Sequence, residues 1–139
     1  MNTLIDSIVL ADEGVKLTQQ GQHFIVEAIL NNQHTSHLMI DTGASLTVVS
    51  TAFYQQLLST DNIKTKRKLN INTAGGNQTA FSIIINEFWL AGRVVYDFEV
   101  VVMDLDSLDK ADGLLGMNFL QHFKFEIDQK NALLFLTPH

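Results

Sequence analysis

Asp41-Thr42-Gly43-Ala44-Ser45 stands between two apolar runs, Leu38-Met39-Ile40 before it and Leu46-Thr47-Val48-Val49 after it. That frame predicts a strand ending in a tight glycine turn, with one carboxylate at its tip. Small residues around Asp41 keep the backbone close, so that its N–H groups can bond the carboxylate and fix its orientation. The tripeptide alone also fits a plain strand-to-loop turn in which the aspartate only stabilises the bend.

About seventy residues on stands Asp112-Gly113-Leu114-Leu115-Gly116-Met117-Asn118-Phe119-Leu120. An apolar pair ending in glycine can pass close beneath another backbone, because Gly116 has no side chain to obstruct it. The two motifs, in this order, resemble the retropepsin-like aspartic proteases. Asp41-Thr42-Gly43-Ala44-Ser45 is similar to the catalytic turn of that family, and Leu114-Leu115-Gly116 to the strand packed beneath it. The likeness runs roughly from Gly21 to Leu136 and leaves residues 1–20 outside as an N-terminal extension.

The resemblance implies a closed all-β barrel with one or two short helices, acting as a symmetric homodimer without metal or cofactor. It implies that Asp41 is catalytic and that Thr42, Gly43, Leu115 and Gly116 support it. A peptide bond is hydrolysed there by water held between two carboxylates that share one proton. Two carboxylates in contact cannot both ionise easily, so such a pair titrates as a unit. The chain holds one Asp-Thr-Gly, so the second carboxylate is expected from a second copy, on a two-fold axis. In the family, the threonine matching Thr42 bonds its counterpart across that axis.

Thr73, Ala74, Gly75, Gly76 and Asn77 match the family's substrate-binding flap in position and glycine content. The substrate class implied is an extended peptide added as a strand, with pockets for alternate side chains. Two other readings stand beside the enzyme. One is the same fold kept as a non-catalytic peptide-binding or dimerisation module; the other is a small-ligand barrel in which Asp41 is a turn residue. An intact Asp41-Thr42-Gly43 favours the enzyme.

The chain has 139 residues, 46% hydrophobic and 17% charged, which predicts one globular domain with a sizeable core. A net charge of −6 argues against non-specific nucleic-acid binding. The one basic cluster, Lys64, Lys66, Arg67 and Lys68, reads as a solvated strand or loop face. No cysteine is present, which excludes a disulfide framework, a cysteine-ligated zinc site and thiol catalysis. No apolar run approaches the ~18 residues of a membrane span. The opening Met1-Asn2-Thr3-Leu4-Ile5-Asp6 lacks the basic start of a secretory signal, so a cytoplasmic protein is expected.

Periodicity predicts strands over Phe24–Leu30 and His34–Ile40 around a turn at Asn31-Asn32-Gln33. Ser50 is expected to cap a short helix, Thr51–Leu58. Leu69–Thr73 and Gln78–Ile85 should form a hairpin, followed by strands at Phe88–Leu90 and Val94–Met103. A helix is expected over Met117–Phe123, and a closing hairpin from Phe125–Ile127 and Leu133–Leu136. Many short strands with polar turns make a barrel. His34 and His37, three apart on a strand, should point to opposite faces and not share a metal. Asp104, Asp106, Asp109 and Asp112 fail the EF-hand pattern, having Asp109 where its glycine and Leu115 where its glutamate belong. Asp112 is expected to bond backbone near the Leu114-Leu115-Gly116 turn. Gly75-Gly76 lacks the lysine and hydroxyl of a phosphate loop, and no serine sits in a nucleophile elbow.

Overall fold

The computed structural model describes residues 14–73, 75–105 and 110–139. Eleven strands are present among them: β1 Val15–Lys16, β2 Thr18–Gln20, β3 His23–Leu30, β4 His34–Ile40, β5 Thr47–Ser50, β6 Lys64–Thr73, β7 Gly76–Leu90, β8 Arg93–Met103, β9 Gly113–Leu115, β10 Phe123–Asp128 and β11 Leu133–Pro138. Two helices accompany them, α1 Thr51–Thr60 and α2 Met117–Leu120.

Eight strands form one sheet in the order β2-β3-β4-β9-β5-β8-β7-β6. Pairing of β3 with β7, at Leu30 opposite Phe88 and Ala28 opposite Leu90, closes six of them into a barrel. Closure pairs part of β3 with part of β7, and β2 and β6 remain at the ends of the sheet. A smaller sheet, β1-β11-β10, packs against this body. Residues 15–20, outside the family likeness, are thus built in: β1 pairs with β11 and β2 with β3.

The expected alternation holds in β3, where Val26, Ala28 and Leu30 are buried while Glu27 and Ile29 face out. Asn31 and Asn32 both take positive φ in the turn to β4, a conformation that asparagine tolerates better than most residues. Three boundaries differ from the sequence reading. The strand expected from Leu69 begins at Lys64, because the basic residues find pairing partners along β7 from Ile84 onward. The strands expected at Gln78–Ile85 and Phe88–Leu90 are one strand of fifteen residues. Its first half pairs with β6 and its last residues with β3, so no break is needed between them. The helix expected over Met117–Phe123 stops at Leu120; Phe123 instead opens β10, where Phe123, Phe125 and Ile127 pack against the core.

Ser50 caps α1 as expected, its Oγ accepting from Phe53 N–H at 3.1 Å. Phe53 and Leu57 drop from α1 into the main core. Phe88, Phe98 and Phe119 form the centre of that core, with ring centroids 4.4 to 6.2 Å apart. A second apolar cluster lies on the other face of the β5-β8-β7 sheet: Val48, Ala80, Val101 and Met103, joined by Leu46, Leu69, Ile71, Leu105 and Leu114.

Candidate active site

Asp41 follows directly on β4, and its N–H donates to Leu115 O at 3.0 Å. β9 makes this possible by running between β4 and β5, parallel to the first and antiparallel to the second. Ile40 lies opposite Leu115, and Val48 opposite Leu114. The aspartate loop is therefore gripped by strands from both of its own ends and from β9 between them.

That grip demands glycine at both ends of β9. A Cβ on Gly116 would stand 2.6 Å from the Leu46 carbonyl carbon and 2.9 Å from Ala44 O. One on Gly113 would stand 1.9 Å from Val48 O. Neither approach is to a flexible side chain, so the backbone itself would have to move. Beyond Gly116, Met117 N–H donates to Ala44 O at 2.8 Å and Asn118 N–H to Ser45 O at 3.1 Å.

Within the loop, Gly43 N–H donates to Asp41 Oδ1 at 3.0 Å, and Ala44 N–H to Asp41 O at 3.1 Å. The carboxylate is thus oriented by its own turn, as the small residues led us to expect. Thr42 and Gly43 are exposed, and among the described residues no hydrogen bond engages the Thr42 hydroxyl. Asp41, Thr42, Gly43, Leu115 and Gly116 are therefore brought together at one point.

The sequence assigned no role to Thr47 or Asn118. Thr47 is fully buried, and both its N–H and its hydroxyl donate to Asn118 Oδ1, at 2.9 and 2.8 Å. The same hydroxyl accepts from Gly116 N–H at 3.1 Å, and Asn118 Nδ2 donates to Glu99 O at 2.9 Å. This clamp binds the aspartate loop, the β9–α2 junction and β8 to each other. The only hint in the sequence is a polar residue inside each of two apolar stretches.

Thr73 pairs with Gly76 at the end of the β6–β7 hairpin, leaving Ala74 and Gly75 as its tip; Ala74 lies outside the described residues. Gly76 has φ +108° with open space where a Cβ would be, and Asn77 is exposed beside it. Leu69 and Ile71 on the same hairpin belong to the second apolar cluster, with Leu46 and Leu114 from the aspartate loop and β9. The hairpin and Asp41 thus flank a common apolar surface.

Asp112 bonds backbone, though on β4 and not at the turn that follows it. Its Oδ2 accepts from His37 N–H at 2.8 Å, and its own N–H and carbonyl engage His37 and Ser50. His34 turns the other way, its Nε2 lying 2.9 Å from Thr60 Oγ1 and 3.4 Å from Asp61 Oδ2. Asp104 accepts from the Thr51 hydroxyl at 2.7 Å, while Asp106 and Asp109 lie outside the described residues. Among the described residues no group of three or more His, Cys, Asp or Glu could hold a metal ion. No helix among them is long and apolar enough to cross a membrane.

Residues 26–122 match the family described as "gag-polyprotein putative aspartyl protease". The chain belongs to that family. Its fold is that of the retropepsin-like aspartic proteases. A crystal structure of a retropepsin-like aspartic protease from Rickettsia conorii superposes with a TM-score of 0.63 at 30% identity, covering 88% of each chain. The protease of EIAV, solved with the inhibitor HBY-793, superposes at 0.60 with 23% identity, over 75% of this chain and 90% of that one. No curated protein matches this aspartyl protease family member.

Proposed function

We propose that the chain is an aspartic endopeptidase that works as a homodimer, with one Asp41 carboxylate from each copy sharing a proton over the attacking water. One carboxylate draws the water's proton as it attacks the peptide carbonyl; the other hydrogen-bonds the carbonyl oxygen. Family membership supports the chemistry. The observation that carries the reading is the Asp41 turn, with its carboxylate oriented by Gly43 N–H and its backbone tied to Leu115. A lone turn aspartate would not need β9 threaded beneath it at the cost of two obligatory glycines.

The exposed, unengaged Thr42 supports the dimer. It lies beside Asp41, where a second copy related by a two-fold axis would meet it. The whole chain is read as a single protease domain, and the β6–β7 hairpin as the flap that closes over an extended peptide.

The test is cleavage of a denatured protein between about pH 4 and 7, where a shared-proton pair works best, by wild type and by Asp41→Asn. The variant is nearly isosteric, so it should fold and associate normally while losing cleavage. Equal cleavage by the two would refute the assignment. Peptide binding without cleavage by wild type would favour the non-catalytic binding module.

A further inference from the structure

The face that carries the second apolar cluster does not end with it. On β8, Val101 lies opposite Val48 of β5 and Ser82 of β7, and Ser82 lies opposite Arg67 of β6. Two residues further along β8 on the same face is Glu99, roughly 7 Å from Val101 by strand rise; beyond it Asp97, at φ +51° and unpaired with β7, breaks the alternation. The surface that starts at Leu46, beside the Asp41 turn, thus continues into a charged region.

The register of β6 shifts between Thr65 and Arg67, so Lys66 and Arg67 are not forced to opposite faces. Both reach Glu99. Arg67 Nε and Nη2 donate to its two carboxylate oxygens at 2.7 and 3.1 Å, Lys66 Nζ stands 3.6 Å from Oε1, and the Ser82 hydroxyl donates at 2.7 Å. Glu99 is only 12% exposed while Lys66 is 49% exposed, so the cations and not the carboxylate face solvent. Beside them lies a cavity of about 610 Å³ lined by Asn62, Lys64, Lys66, Ile84, Asn86 and Asp97. Lys64 has no ion partner among the described residues.

We propose that this cavity is a specificity subsite that takes an acidic side chain of an extended peptide substrate, with Lys64 and Lys66 as its cations and Asn62 and Asn86 as neutral donors. The proposal rests on the endopeptidase reading above. Glu99 is already held by two hydrogen bonds from Arg67 and one from Ser82, so it offers little to a basic side chain. Asp97 is the one remaining carboxylate on the wall, against two lysines. The sign of the subsite is therefore opposite to the −6 of the whole chain. An extended peptide advances about 3.3 Å per residue. Glu99 lies about two such steps beyond Val101, so the subsite would read a side chain several residues from the scissile bond, past those that meet the apolar cluster.

The test uses the full chain and uncleavable ten-residue peptides with a central statine, differing only in Glu or Lys three to five residues from the centre. Calorimetry should give the Glu peptides about tenfold tighter Kd at low salt, with the gap narrowing as salt screens it. The double variant Lys64→Glu/Lys66→Glu should reverse the preference, and Glu99→Gln, which frees Arg67, should widen it. Should the double variant not fold, Lys64→Gln alone should narrow the gap. Equal Kd for Glu and Lys peptides, a preference untouched by these changes, or no binding at all would overturn the subsite. A clear preference in a chain that cleaves nothing upholds the subsite and refutes the protease reading. Cleavage without charge preference does the reverse.

Discussion

Asn118 Oδ1 accepts both the N–H and the hydroxyl of the buried Thr47, seventy-one residues away, and so holds the aspartate loop to the strand end beneath it. Asn118→Ala removes the acceptor of both the N–H and the hydroxyl of the buried Thr47, and the Nδ2 donor to the Glu99 carbonyl. An unsatisfied buried group costs about 1–3 kcal/mol. Urea denaturation should report a loss in that range, with a fall in cleavage because the Asp41 turn loosens. A variant with wild-type midpoint and activity would remove the clamp from the account.

The glycines flanking Leu114-Leu115 and the glycine at the β6–β7 hairpin should behave oppositely. Gly116→Ala and Gly113→Ala drive a methyl into backbone at 2.6 and 1.9 Å, and should cost more than about 3 kcal/mol or prevent folding. Gly76→Ala meets no atom, and its penalty is the backbone strain of a side chain at φ +108°, about 1–3 kcal/mol. With the hairpin acting as the proposed flap, turnover should fall as well, since a stiffened flap closes less readily over a peptide. Melting temperatures and kcat, measured on all three, separate the two behaviours.

Thr42 is the position at which assembly and activity should be linked. Thr42→Val keeps the volume and removes the hydroxyl, so it should shift the dimer dissociation constant upward by about tenfold or more; Thr42→Ser should be mild. Specific activity of wild type should fall on dilution. Excess Asp41→Asn chain should poison wild type by forming mixed dimers with one carboxylate. Analytical ultracentrifugation beside an activity titration checks both, and activity strictly proportional to concentration for a monomer would contradict the dimer.

Glu99 gives a pH signature. The Arg67 hydrogen bonds, against the opposing effect of burial and with help from Ser82 and Lys66, hold its carboxyl at about 2, well below its ordinary 4.5. A group whose folded pKa lies below its unfolded one contributes its full stability above the unfolded value, and loses it as pH falls through the folded one. Glu99→Gln should therefore destabilise the protein most at pH 5–7, by about 1–2 kcal/mol after allowance for the half-exposed Arg67. The gap should close from pH 4.5 toward 2. Denaturation midpoints of the two proteins across that range test it. The ion pair should also survive at the mildly acid pH where a shared-proton site operates.

The residues that define the candidate site were legible in the chain because their chemistry is local. Asp41 and Gly43 make their orienting hydrogen bond across two residues, and strand alternation in Phe24–Leu30 needs no distant partner. Leu115 and Gly116 were legible because a strand that passes under a loop needs an apolar pair and a missing side chain, whatever it passes beneath. Pairing is different. That Leu30 meets Phe88 to close the barrel, or that Arg67, Ser82 and Glu99 converge on one face, depends on register between segments far apart in the chain. Periodicity states which residues share a face but not which strand lies alongside. The basic residues at 64–68 read as a solvated face and are exposed on β6, but that Lys66 and Arg67 meet Glu99 there was not visible; β7 read as two strands until the tertiary structure supplied partners for both of its halves. The roles of Thr47 and Asn118 stayed unread for the same reason: a buried polar residue declares its role only through the group that satisfies it, and that group lies on another element.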